Sequence, residues 1–228
     1  MGYATILFDL DHTLLDSNES ERLAFANTMR SFGLDEPDQH LGTYQQINSK
    51  LWKSVERGEI SPNVVKDRRF ELFTQTIGLD ADPTDMGDHY MVALGTHGEL
   101  FPGVPEMLDT VGSRAQLGLI TNGLGNVQRT RTARLGLDSY FTGVSISGEI
   151  GVAKPDPAIF DHLMAQLGSP SALDTVIVGD SLSSDIAGGH NAGIATCWYN
   201  PGGLRGDATP PPSIEVSSIG ELPGALLS

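Results

Sequence analysis

At 228 residues with 39% hydrophobic positions, the chain is long enough to bury a core as one domain, or as one domain carrying a sizeable insertion. A formal charge of −15 leaves no basic stripe with which to neutralise a nucleic-acid polymer, although one positive pocket could still take a small phosphorylated ligand. Cys197 is the single cysteine, which excludes an intrachain disulfide and a cysteine-based zinc site and fits a reducing cytoplasm; no apolar run approaches a membrane span, and the opening MGYATILFDL lacks a basic leader region.

The predicted elements begin with an apolar run at 5–8, read as a strand, which passes directly into Asp9 and Asp11. From 17 to 98 no strand pattern occurs; helices are expected over 19–32, 41–56, 62–77 and 85–96, the third with Ser61 as N-cap, Pro62 at its first position and Gly78 past its last turn. An all-helical stretch at this place predicts a cap over residues 17–98 inserted into a core formed by 1–16 and 99–228, with hinges where the two meet. The core then alternates: helix 104–113, strand 117–120, helix 125–135 closed by Gly136, strand 144–147, helix 156–167 closed by Gly168, strand 175–178, helix 183–191 and strand 195–199. A loop at 200–212 precedes a short strand and a final helix within 214–227. Near-continuous apolar strands joined by helices imply parallel crossovers with both faces covered, so the fold class is an α/β, doubly wound, Rossmann-like parallel sheet with an inserted all-helical cap.

Chemistry-bearing residues follow the strands. Asp9 and Asp11 follow the first, Thr121, Asn122 and Gly123 the second, and Asp180, with Asp185 further on, the fourth; Lys154 stands before the proline-initiated helix at 156. In open α/β sheets ligands bind outside the carboxyl ends of the strands, so these groups should converge on one crevice. Singly, each has a plainer reading: turn residues at Asp9 and at Thr121-Asn122-Gly123, a solvated lysine at 154, a helix cap and a first-turn acid at Asp180 and Asp185. Together they place acids that can hold a metal or attack a substrate beside a hydroxyl, an amide and an ammonium. Gly123-Leu124-Gly125 lacks the third glycine of a dinucleotide fingerprint and follows the wrong strand.

The four segments DLDHT, LITNG, GVAKPDP and GDSLSSD, in this order, resemble the motifs of the haloacid dehalogenase superfamily of phosphohydrolases. The match covers roughly the two thirds of the chain outside the cap, and the helical insert is similar to that superfamily's first type of cap. More narrowly, LWKSVERGEI at 51–60, VAKPDPAIF at 152–160 and GIATCWYN at 193–200 resemble the bacterial pyrimidine 5′-nucleotidase branch. The resemblance implies Asp9 as nucleophile forming an aspartyl-phosphate, and Asp11 as the acid that protonates the leaving oxygen and then activates water. It also implies Mg²⁺ held by the Asp9 carboxylate, the Asp11 carbonyl and Asp180. Thr121 and the following N–H groups, through Asn122 and Gly123, would hold phosphate oxygens, Lys154 would neutralise the transferring group, and Asp185 would orient metal-bound water or Lys154.

The expected partner is therefore a small phosphorylated metabolite, most specifically a pyrimidine nucleoside 5′-monophosphate; another phosphatase substrate such as a sugar or acylated sugar phosphate, a phosphomutase, or a non-catalytic binder of phospholigands on the same fold stay open. A receiver-type signalling domain is shorter and carries its phosphorylated Asp at a central strand, and a dehalogenase needs neither Asp11 nor a metal. Monomer and dimer are both open. His12 reads as a packing variant pointing away from Asp11, His40, His89 and His97 as surface residues, Trp52 as core or a base-stacking platform, and Cys197 and Trp198 as packing.

Overall fold

The computed structural model describes residues 2–206 and 208–228, leaving Met1 and, within the expected loop 200–212, Asp207 outside the described residues. Six strands, β1 (Thr5–Phe8), β2 (Gln116–Thr121), β3 (Gly143–Ile146), β4 (Thr175–Gly179), β5 (Ala195–Tyr199) and β6 (Ile214–Val216), form one parallel sheet in the order β3-β2-β1-β4-β5-β6. The order reverses beside β1, which is where a crevice opens in such a sheet.

The helices are α1 (Ser17–Ser31), α2 (Asp38–Glu56), α3 (Val65–Ile77), α4 (Pro83–Thr96), α5 (Val104–Gly112), α6 (Gly125–Arg134), α7 (Ser147–Ile150), α8 (Pro157–Gln166), α9 (Ala187–Asn191) and α10 (Leu222–Leu226). On one face of the sheet Ile6, Phe8, Leu119 and Val178 pack against Val104, Leu108 and Val111 of α5 and Leu222 of α10. On the other, Leu7, Ile120 and Ile177 meet Ile159, Phe160 and Leu163 of α8. Each such buried side chain is worth about 1.5–3 kcal/mol relative to exposure. Helices α1 to α4 enclose a separate apolar cluster of Phe25, Tyr44, Phe70, Phe73, Met86 and Tyr90.

Local signals account for most boundaries. Asp156 caps α8 by accepting from the Ala158 N–H, Asp82 caps α4, and Gly78 closes α3 at φ 70°. Three expectations are corrected. The expected helix over 62–77 opens as a 3₁₀ turn, Pro62–Val64, and Ser61 makes no side-chain capping bond because the helix proper starts at Val65. Strand β3 is displaced by one residue toward the N-terminus, since Ser147 opens α7. The expected helix over 183–191 is a π-helical turn, Leu182–Ile186, running into α9.

Candidate active site

Asp9 lies just beyond β1, where its N–H still joins the ladder by donating to the Val178 carbonyl. It is 5% exposed, and beside it Lys154, 1% exposed, donates from Nζ to Asp9 Oδ1 at 2.6 Å, to Asp185 Oδ1 at 2.6 Å and to the Ile120 carbonyl at 2.9 Å. Burial works against the ammonium, but the Asp185 and Asp9 carboxylates outweigh it and hold Lys154 well above its ordinary range. The Lys154 backbone is clamped by Asn122, whose Nδ2 donates to the Lys154 carbonyl at 2.9 Å while its Oδ1 accepts the Lys154 N–H at 2.8 Å. Asp185 accepts the Ser181 N–H at 2.9 Å and lies directly over Gly179, where an added Cβ would stand 2.2 Å from its carboxyl carbon. Only glycine leaves that space.

Asp9, Asp180 and Asp185 each offer an oxygen within 4.8 Å of the others. Burial, with Asp185 and Asp180 as like-charged neighbours, pushes the Asp9 carboxyl up against the pull of Lys154, and burial followed by Asp185 pushes Asp180 up to about 6. One ammonium for three carboxylates, all hard oxygen donors, is a set that a small divalent cation fits. Thr13 Oγ1 donates to Asp9 Oδ2 at 3.3 Å, and the Trp198 indole N–H donates to the Asp180 carbonyl at 2.8 Å, so a residue read as packing also fixes the third acid. Cys197 beside it is packing, its thiol pushed up to about 12 by burial.

Asp11 faces the same cavity as Asp9 but is held differently. Gln128 donates to its Oδ2 at 2.6 Å, Arg131 Nη1 to its Oδ1 at 2.8 Å, and the Ser17 hydroxyl to Oδ1 as well. Burial raises its carboxyl, yet Arg131 and these donors prevail and hold it below the ordinary carboxylate value. Gln128 also donates to the fully buried Thr121 Oγ1 at 2.8 Å, and lies so close to Gly123 that a Cβ there would come within 2.6 Å of its amide nitrogen. The Gly123 N–H donates to Ser147 Oγ at 3.0 Å. Gln128 and Arg131 were not visible from the sequence, because the α6 stretch GNVQRTRTAR reads as a polar surface helix although both residues are buried. The nearest signal was Gly123 just before α6, where the missing side chain leaves room for Gln128.

His12 is not a packing residue. It is exposed, adopts a left-handed φ of 65°, and lines the cavity mouth. The chain has already left the strand at that point, so strand alternation no longer fixes where side chains point. His40 and His89 are half-buried rather than surface groups, stacked edge-on against Phe73 and Phe32; His97 is also half-buried.

The cavity measures about 670 Å³, and its wall opposite the carboxylates is built by Glu21, Asn48, Trp52, Arg69 and Tyr90. Trp52 is half-buried there. At the cavity's edge the Ser183 hydroxyl donates to Glu56 Oε2 at 3.0 Å, and outside the cavity Asn63 Nδ2 donates to the Gly148 carbonyl at 3.1 Å. Among the described residues, no helix is long and apolar enough to cross a membrane.

The family profile described as haloacid dehalogenase-like hydrolase matches residues 6–199. Relatives include the pyrimidine 5′-nucleotidase PynA of Streptococcus pneumoniae, 34% identical over 97% of this chain and 94% of that protein, and the pyrimidine 5′-nucleotidase YjjG of Escherichia coli, 34% identical over 97% of each. Among solved structures, the HAD-hydrolase YfnB of Bacillus subtilis, bound to magnesium, superimposes with a TM-score of 0.91 at 30% identity over 99% of both chains. With the strand order, the acidic cluster around Lys154 and a family match over most of its length, the chain belongs to the haloacid dehalogenase-like hydrolases.

Proposed function

We propose that this hydrolase is a Mg²⁺-dependent phosphomonoesterase that works through an aspartyl-phosphate on Asp9 and takes pyrimidine nucleoside 5′-monophosphates as substrates. The observation that carries the reading is the Asp9 carboxylate, pinned by Lys154 at 2.6 Å in the wall of a cavity of about 670 Å³, within the size range of small-ligand sites. The nucleotidases PynA and YjjG, similar over 97% of the chain, support the substrate class.

In this mechanism Asp9 Oδ forms a bond to phosphorus as the ester P–O bond breaks, and the departing oxygen keeps the electron pair and takes a proton from Asp11. Water then attacks phosphorus, gives its proton to Asp11 and frees Asp9. Held by Arg131, Asp11 is ionised, the state required for the second step; the first requires its carboxyl to leave Arg131 and take up a proton. Asp9, Asp180 and the Asp11 carbonyl would hold Mg²⁺, which offsets repulsion between the anionic nucleophile and the anionic substrate. Lys154, steered by Asn122 and Asp185, keeps Asp9 oriented; Asn122 and Gly123 line the phosphate side of the cavity, and the fully buried Thr121 supports it through Gln128.

Residues 17–98 act as a cap on a core of 1–16 and 99–228. Supporting this division, the two crossings run side by side, with Asp16 N–H donating to the Glu99 carbonyl at 3.0 Å and Phe101 N–H to the Leu14 carbonyl at 2.9 Å, and α1 to α4 have their own apolar cluster. Paired crossings of this kind let a lid tilt as a unit. The test is phosphate release from a panel of phosphorylated metabolites with and without Mg²⁺. UMP, dUMP and dTMP should be hydrolysed faster than sugar phosphates of similar charge, and only with Mg²⁺. Dominance of hexose phosphates or of an acylated sugar phosphate would overturn the nucleotidase reading.

A further inference from the structure

The wall of the cavity facing the carboxylates carries several groups with unused hydrogen-bonding capacity, among them the buried Tyr90 hydroxyl, and two of them stand out. Asn48 on α2 is 9% exposed; its Nδ2 donates to Glu21 Oε2 at 2.9 Å, while its Oδ1 is buried and has no partner among the described residues. Because a carboxylate can only accept, Glu21 fixes the orientation of the Asn48 amide and leaves an acceptor on the free side. An orphaned buried acceptor costs about 1–3 kcal/mol, so its presence in a cavity wall calls for a donor on a ligand.

Arg69 on α3 is the second. It is 2% exposed and lines the same cavity. Its Nε donates to the Val65 carbonyl at 3.1 Å and its Nη1 to the Tyr44 hydroxyl at 3.1 Å, and the guanidinium carbon lies 5.2 Å from the centre of the Tyr90 ring. A guanidinium has five N–H donors; the described hydrogen bonds use two, and among the described residues no carboxylate lies within salt-bridge distance of it. The remaining donors call for acceptors on a ligand.

The electrostatics select the class of ligand. Glu21 beside Asn48 disfavours a second anionic group, and Arg69 disfavours a cationic one. What fits is a neutral planar group presenting an N–H flanked by carbonyl oxygens: the imide edge of a uracil-type base. We infer that Asn48 and Arg69, with Glu21 setting the amide orientation, form the subsite that reads the base, Asn48 Oδ1 accepting the ring N3–H and Arg69 donating to a ring carbonyl. This rests on the nucleotidase reading and adds to it the part of the base that is read and the residues that read it. Cytosine, whose N3 is an acceptor, would set two acceptors face to face.

The test pairs a change in the substrate with a change in the protein. Wild-type enzyme should show kcat/KM for UMP about 10- to 100-fold above that for N3-methyluridine 5′-monophosphate, in which the N–H is blocked, and above that for CMP by a similar factor. In Asn48→Ala, checked for folding by its melting curve, the preference for UMP over the N3-methyl compound should shrink to within about 3-fold, as expected when one member of a coupled pair has already been removed. If wild type hydrolyses both uridine compounds equally well, the base-reading assignment is overturned while the nucleotidase reading stands, a result that does not depend on the variant folding. If the preference exists but survives in Asn48→Ala, the base is read elsewhere and the assignment again fails. If UMP itself is no better than a hexose phosphate, both readings fall together.

Discussion

Arg131 Nη1 donates to Asp11 Oδ1 at 2.8 Å, and the same guanidinium reaches Ser20 Oγ at 2.7 Å and the Leu94 carbonyl at 3.1 Å. One side chain of α6 thus ties the second acid of the opening motif to α1 and α4 of the helical segment. Breaking a buried pair leaves its partner uncompensated, so Arg131→Met should destabilise the fold by about 2–4 kcal/mol, somewhat less than for a fully buried pair because Asp11 is partly exposed. The sign of the pH dependence follows from the depressed Asp11 carboxyl. Its stabilisation is fully present above the ordinary value of 3.8 and is lost as pH falls through the lower folded value. The melting-temperature gap between wild type and Arg131→Met should therefore narrow between about pH 5 and about pH 3. A gap independent of pH would mean that Arg131 contributes through packing and its bonds to Ser20 and Leu94 rather than through Asp11.

Lys154 is the single described ammonium among Asp9, Asp180 and Asp185. Lys154→Met should abolish activity and cost about 3–5 kcal/mol, because two buried carboxylates lose their shared counter-ion. Adding Asp185→Asn to that variant removes one of the stranded charges, and should recover a substantial part of the lost melting temperature without recovering turnover. No recovery in the double variant would show that the loss arises from volume rather than charge.

The placement of these groups was readable in advance to the extent that it followed from chain direction. Apolar runs ending in Asp9, Thr121 and Asp180 must deliver those residues to the carboxyl edge of a parallel sheet, and the structure places them there. What was hidden depends on which face of a polar helix turns inward. Gln128 and Arg131 sit three residues apart on α6, in a stretch with no apolar stripe, and become buried only because Asp11, Thr121, Ser20 and Leu94 supply partners from distant parts of the chain. His12 escaped for another reason: a left-handed residue redirects the side chain, and nothing in DLDHT marks it.

Asp9→Asn tests nucleophile and metal site together. An amide does not attack phosphorus and binds Mg²⁺ poorly, so phosphatase activity should fall to background. In EDTA the variant should melt at the same temperature as wild type or higher, since Asn relieves the crowding among Asp9, Asp180 and Asp185 and Lys154 retains Asp185. Excess Mg²⁺ should raise the melting temperature of wild type more than that of the variant, because ligand stabilisation scales with affinity for the native state. Near-native turnover in Asp9→Asn would exclude a covalent intermediate on Asp9.

Trp198→Phe keeps the ring in the sheet and deletes the indole N–H that donates to the Asp180 carbonyl at 2.8 Å. The expected outcome is a Mg²⁺ requirement about 3- to 10-fold higher in an activity titration, toward the lower end of effects seen when groups supporting a metal ligand are removed. An unchanged Mg²⁺ midpoint would show that Asp180 keeps its position without the indole.

Strand β1 is hydrogen-bonded to β2 on one side and β4 on the other, its four residues are fully buried, and the Asp9 N–H continues the ladder. In deuterated solvent, amides in such a central strand exchange only when the whole molecule opens, whereas helices held mainly by their own small apolar cluster can open one at a time. The Asp9 carboxylate is thus anchored in the part of the chain slowest to take up label, and α1 to α4 should open and reclose many times, taking up label first, before Asp9 is disturbed.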